Sequence, residues 1–171
     1  MTELIKCHNF KRCGKYAKYL VYLFGGKQKI YVCEECVEEY KRAPKVVSLE
    51  ELNCPLCKAL KRETDNIFHR DLFFTVMRTK DLKGHKERIM IVLNSHKSTV
   101  SRQELEHAIN ILTEVGKEAF HYTPKFIIMD GTYATIKNHW HLVATDLYPF
   151  SHDFKQILKT KWLKVVDVYE T

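Results

Sequence analysis

The sequence predicts an α+β fold, a mostly antiparallel sheet with one long helix, preceded by a small cysteine-anchored module. Three observations carry this expectation. One long amphipathic run with a capping signal lies near residues 101–122. Short β-branched and aromatic runs flank it, in the order strand, strand, helix, strand, strand. All six cysteines fall within residues 7–57, and two of their intervals are Cys-x-x-Cys. With 171 residues, 45% of them hydrophobic, the chain can bury one sizeable core and a small satellite module, but not two large domains. The expected division is a module over 1–50 and a larger domain over 51–171.

The module is read from its N-terminus. "CHNFKRC" supplies one metal-binding knuckle and "CEEC" a second, separated by "GKYAKYLVYLFGGKQKIYV". Aromatic and β-branched residues on both sides of Gly25-Gly26 mark a β-hairpin, which returns the second pair to the first. Cys7, Cys13, Cys33 and Cys36 are then placed to close a tetrahedral structural zinc site, with His8 as a substitute ligand. Disulfides are not expected in a chain with no export signal, and a redox pair would need only one Cys-x-x-Cys. So small a module lacks the core to fold unaided, and zinc is expected to supply much of its folding free energy. Its shape resembles treble-clef or zinc-ribbon modules.

"KRAPKVVSLEEL" follows, and Pro44 with its mixed charged composition predicts a linker or short connecting helix. "NCPLCK" opens the larger domain with a second Cys-x-x-Cys that has no partner pair, so a metal here must recruit histidines from farther along. Candidates stand in two strand-like runs. "RIMIVLNSHKS" is continuously apolar over Ile89–Leu93 and exits at His96. "TIKNHWHLVA" is the second, and alternation along a strand puts His139, His141 and Val143 on one face, with Trp140 and Leu142 on the other.

Between these runs lies the helix, from about Arg102 to Tyr122. Ser101 and Glu104 have capping-box spacing, and Leu105, Ala108, Ile109, Leu112, Val115, Ala119 and Phe120 form an apolar stripe at helical period. The stripe is expected to cover a sheet built from "DLFFTVMRT", "RIMIVLN", "KFIIMDG" and "TIKNHWHLVAT", with "WLKVVDVYE" as a further strand. Trp140 and Trp162 are read as core residues. His69, His85, His107, His121 and His152 are read as surface or helix-end residues, and "SHDFKQILKTKWLK" as a short helix and connection bearing surface lysines.

The formal charge is +7, and it is spread out: residues 1–50 hold ten Lys/Arg against six Asp/Glu, the remainder 18 against 15. That describes a solvated Lys/Glu surface, with scope for a basic patch that favours phosphate-bearing ligands. No apolar run approaches the roughly 20 residues of a membrane span, and "MTELIKCHNFKRC" is too polar for a signal-peptide core. A cytoplasmic protein without membrane contact is expected.

Over residues 51–148, "CPLC", the strand ending "LNSH", the capped helix, the loop "MDGTYA" and "HWHLVA" together resemble the histidine-triad (HIT) superfamily of nucleotide hydrolases and transferases. The resemblance implies an antiparallel sheet with one long helix between its halves and a histidine-bearing strand after a glycine-containing loop. The N-terminal module lies outside that family's common core. Two of three triad histidines are present. In the favoured register His139 is first, His141 is the central nucleophile and Val143 replaces the third; in the alternative, Lys137 replaces the first, His139 is central and His141 third.

Zinc-containing members of the family imply a second structural zinc site at Cys54, Cys57, His96 and His139, which leaves His141 to attack the α-phosphorus of a nucleotide. The Asp130–Thr135 loop and nearby backbone amides are candidates to hold phosphate oxygens. The implied partner is a nucleotide or nucleotidylated small molecule, with nucleic acid a candidate if the module adds contacts, and family members often form homodimers. The second functional class is a zinc-stabilised binding protein that keeps the fold without the activity.

Overall fold

The computed structural model describes residues 4–62 and 65–170; the outer limits of the two predicted segments, at Met1 and Thr171, lie outside the described residues. Contacts divide the chain into two compact units, Met1–Lys58 and Ala59–Thr171. The division falls inside one continuous helix, Pro55–Leu60.

In the first unit a short helix α1 (Phe10–Cys13) sits within the first knuckle and ends on Gly14 in the left-handed region. The predicted hairpin follows as β1 (Tyr19–Leu23) and β2 (Gln28–Val32), antiparallel, with Val21 opposite Ile30 and Tyr19 opposite Val32. Its connection is a tight turn over Phe24–Gly26, in which Phe24, Gly25 and Gly26 all have positive φ. Glycine adopts that backbone without penalty, and Phe24 does not.

The segment after Pro44 contains the expected short helix, at Leu49–Asn53, but its first part is a strand and not a linker. Lys45–Ser48 forms β3, which pairs antiparallel with β1 to complete a three-stranded sheet in the order β2-β1-β3. Val46 and Val47 are β-branched residues with an open strand edge beside them, and that edge decides their conformation over local composition. Ser48 then accepts a hydrogen bond from the Glu51 amide at 3.0 Å and starts helix α2 (Leu49–Asn53), followed by α3 (Pro55–Leu60). Proline at the first position of α3 costs no hydrogen bond, because that amide would have no helical partner.

The second unit is built on a six-stranded sheet: β4 (Ile67–Arg70), β5 (Phe74–Arg78), β6 (Arg88–Leu93), β7 (Lys125–Met129), β8 (His141–Asp146) and β9 (Leu163–Asp167). Its order is β4-β5-β6-β8-β7-β9 and every neighbouring pair is antiparallel. The long helix α4 (Arg102–Ala119) carries both halves of a capping box, Ser101 with Glu104. Ala108 and Leu112 of α4, with Phe120 just beyond it, are fully buried against Phe74, Ile89, Ile91, Phe126, Ile128 and Ala144. Gly116 faces Phe126 so closely that a Cβ there would lie 2.3 Å from the ring's Cζ.

The α+β class, the mostly antiparallel sheet and the single long helix match the sequence reading. Three details differ. The helix ends at Ala119, with Phe120 as its cap. β4 is an additional edge strand. β8 begins at His141 rather than Thr135, so residues 130–140 form a loop that carries His139. Among the described residues no helix is long and apolar enough to cross a membrane.

Candidate functional site

Two side-chain groups could hold a metal ion. In the first, Cys7, Cys13, Cys33 and Cys36 place their sulfurs within 4.8 Å of one another. The hairpin accounts for this: Lys18 donates to the Val32 carbonyl at 2.8 Å and extends the β1–β2 pairing toward both knuckles. The sulfurs already receive backbone hydrogens, from Cys33 N–H to Cys7 Sγ at 3.3 Å and from Cys36 N–H to Cys33 Sγ at 3.5 Å. The Cys33 thiol is pulled down to about 7, chiefly by the Cys36 amide, which outweighs the opposing effect of burial. Four converging sulfurs, three of them buried, suit a cation that takes soft ligands. His8 is exposed and stands outside the group, so the substitute-ligand expectation is not needed.

This unit's core contains few residues besides those cysteines. Cys7, Cys33 and Cys36 are half of its main buried cluster, the others being Val21, Ile30 and Val32. Without an ion, three thiols packed around three aliphatic side chains are a poor substitute for a core.

The second group is Cys54, Cys57, His96 and His139, each offering a ligand atom within 4.8 Å of the others. Cys54 and Cys57 stand at the head of α3, and both are buried. His96 lies just after β6, and its ring meets that of His139 edge-on at 5.1 Å. His139 is 1% exposed, and its Nε2 donates to the Leu93 carbonyl at 2.7 Å. That bond leaves Nδ1 with the lone pair a metal requires, and a backbone carbonyl behind a ligating imidazole is a common way to fix its orientation. Among the described residues, which include all six cysteines, no disulfide forms.

His141 belongs to neither group. It opens β8 opposite Val92 of β6, half-buried, and its Nδ1 donates to the His139 carbonyl at 2.9 Å. The lone pair is therefore on Nε2. Burial lowers the imidazole's pKa; the carbonyl bond opposes that shift and the charge of Arg88 adds to it. Along β8, Leu142 and Ala144 join the core under α4, while Val143 packs with Ile127, Met129 and Ile157 in a second cluster. The predicted alternation therefore holds from His141 onward. Lys137 is exposed in the loop.

The 130–140 loop is braced from both ends. Asp130 accepts the Thr132 amide at 2.7 Å and the Trp162 amide at 2.9 Å. Burial alone would raise the Asp130 pKa, but those bonds prevail and keep it low. Ala134 N–H donates to Gly131 O, and Trp140 N–H donates to Lys97 O at 2.7 Å. Gly131 runs beside the His141 carbonyl, which a Cβ at that position would approach to 3.7 Å.

One functional-looking feature was missed from sequence. His85, expected at the surface, has a fully buried side chain between two carboxylates, Asp146 on Nδ1 at 2.6 Å and Asp153 on Nε2 at 2.8 Å. Tyr122 donates to the other Asp146 oxygen at 2.5 Å, and Arg88 approaches Asp153 at 3.7 Å. Burial opposes a charge on His85, but the carboxylates win and its pKa is raised. Nothing in the spacing of residues 85, 122, 146 and 153 signals this grouping, which exists only once β6, β8 and α5 (Phe154–Ile157) are folded. His107, His121 and His152 are exposed, as expected; His69 is partly covered, and His69 and His107 both reach Asp71 at 3.4 Å.

Comparison with protein-family models, with curated proteins and with solved structures found no match to this chain.

Proposed function

We propose that the second unit, with the α3 cysteine pair, is a HIT-like domain that hydrolyses or transfers nucleoside phosphates through His141, and that both cysteine-containing groups hold zinc. The observation that carries the reading is the hydrogen bond from His141 Nδ1 to the His139 carbonyl. It leaves an unprotonated Nε2 in a fixed position, as a nucleophile that attacks phosphorus requires. His139, already committed to the Leu93 carbonyl and the metal group, cannot fill that role, which supports the register with His141 central.

In the proposed reaction the Nε2 lone pair forms a bond to the α-phosphorus while the bond to the leaving group breaks, and the leaving group takes a proton from solvent. Water or another acceptor then attacks the nucleotidyl-histidine, releasing the nucleoside phosphate and restoring the neutral imidazole. The bond to the His139 carbonyl strengthens as Nδ1–H becomes more acidic during the first step. The braced backbone from Asp130 to Ala134 is the candidate support for phosphate oxygens. Zinc held by either group would be structural, since each offers four protein ligands, which would leave no position for water.

A second reading rests on Val143. Where the resemblance expects a third histidine, this chain has a valine that contributes to packing with Ile127, Met129 and Ile157. A zinc-stabilised nucleotide or nucleic-acid binder that has lost turnover would look the same at every other position. The test is metal content together with release of nucleoside monophosphate from adenylated and guanylated phosphoramidates and dinucleoside polyphosphates. Near two zinc ions per chain, with turnover abolished by His141→Ala at unchanged zinc content and thermal stability, is the expected result. Ligand binding without turnover in the wild type would favour the binder, and fewer than two zinc ions would overturn the site assignment.

A further inference from the structure

Among the described residues, the paired carboxylates of the first unit lie at the cysteine end of its hairpin, away from the turn. There Glu34 pairs with Lys18, Glu35 with Lys15, Glu38 with Lys41 and Glu39 with Arg12. At the other end, Lys27, Lys29 and Lys45 have no carboxylate within ion-pair distance among the described residues, and all three are exposed. Sheet register sets two of them on either side of one ring, since Tyr22 of β1 pairs with Lys29 of β2 and with Lys45 of β3. Both ammonium groups lie over that ring, at 5.3 and 5.4 Å from its centroid. Contacts of this kind hold the lysines above the sheet without neutralising them.

Two residues beyond Tyr22, Phe24 caps the turn with 74% of its surface exposed and φ at 49°. A left-handed backbone is strained for a phenylalanine, and so exposed a ring recovers little of that strain by packing. An aromatic face held in solvent beside three uncompensated lysines offers the two things a single strand presents to a protein: phosphates for the cations and unpaired bases for the ring.

We propose that the hairpin tip, formed by Phe24, Lys27, Lys29 and Lys45 with Tyr22 beneath, binds single-stranded nucleic acid, with a base stacked on Phe24 and adjacent phosphates on the lysines. This goes beyond the reading of His141 and does not rest on it.

The test uses the full, metal-loaded chain and a fluorescent single-stranded oligonucleotide of about 12 nucleotides, inside the range of site sizes known for such surfaces. Three lysine–phosphate contacts predict that log K falls with log[salt] at a slope of about −2, and Lys29→Ala with Lys45→Ala reduces the slope to about −0.7. Phe24→Ala is expected to weaken binding about tenfold and Phe24→Trp to preserve or strengthen it. Metal content serves as the control that the unit remains folded. Inorganic polyphosphate, polyglutamate and the matching duplex are the competitors, and each is expected to bind more weakly than the single strand. Equal binding by any competitor, binding unmoved by the paired lysine changes or by Phe24→Ala, or no binding of the single strand would each overturn the proposal.

Discussion

Gly116 makes the sharpest test of how the helix meets the sheet, because local and tertiary arguments predict opposite signs. A glycine inside α4 is unfavourable by about 1 kcal/mol relative to alanine, so helix propensity alone predicts that Gly116→Ala stabilises the protein. The new Cβ, however, would sit 2.3 Å from Cζ and 2.5 Å from Cε2 of Phe126. Carbon atoms prefer about 3.5–4.0 Å, so ring or helix must move by more than 1 Å. The ring has little room, being fully buried and stacked on Phe120 at 4.8 Å. Overpacking of this kind costs about 1–3 kcal/mol. With the propensity gain set against a clash at the severe end, Gly116→Ala is expected to lower stability by about 1–2 kcal/mol. Urea denaturation at constant metal loading would show a lower midpoint with an unchanged slope. In a Phe126→Leu background the clash is relieved, and the alanine should be neutral or stabilising. A stabilised Gly116→Ala protein in the wild-type background would refute the packing argument.

The buried His85 network predicts a pH signature. His85 has a raised pKa, so its contribution is complete below the ordinary histidine value of about 6.5 and is lost as pH rises through the folded-state value. Asp146 is lowered, burial being outweighed by its bonds to His85 and Tyr122, so its contribution is lost as pH falls through its folded-state value. The stability difference between wild type and His85→Gln should therefore be greatest in the weakly acidic range, at about 3 kcal/mol or more, and shrink toward alkaline pH; a difference that grows with pH would contradict the charged assignment. Removing metal with a chelator should abolish amide protection at Val21 and Val32 while Ile91 and Ile128 stay protected, read by hydrogen exchange. Ser101→Ala should cost about 1 kcal/mol and Ser101→Asp much less, measured by the same urea titration.

Much of this arrangement is legible in the sequence because its causes are local. Ser101 and Glu104 announce the start of α4, and the alternation of Leu142 and Ala144 against His141 and Val143 announces a strand with two different faces. The cysteine spacing around a hairpin locates the first cysteine cluster. What escaped depends on partners distant in the chain. Lys45–Ser48 is a strand because β1 has an edge to offer, not because its composition demands one. His139 lies in a loop, its ring held by the Leu93 carbonyl. His85 is buried because Asp146 and Asp153, 61 and 68 residues away, close over both of its nitrogens. Gly116 looks like a flaw in a helix until Phe126 is seen beneath it.

His141 is the point where fold and proposed chemistry meet: the sheet fixes its backbone, the His139 carbonyl fixes its proton, and Nε2 is left for phosphorus. The most direct measurement is rapid alkaline quench of the full chain turning over an adenylated phosphoramidate, followed by intact-protein and peptide mass spectrometry under non-acidic conditions. The expected result is one nucleotidyl group per chain on the peptide that contains His141, stable to alkali and labile to acid as a phosphorus–nitrogen bond should be, and absent from His141→Ala. Turnover with no covalent adduct at any quench time, or an adduct on another residue, would contradict it.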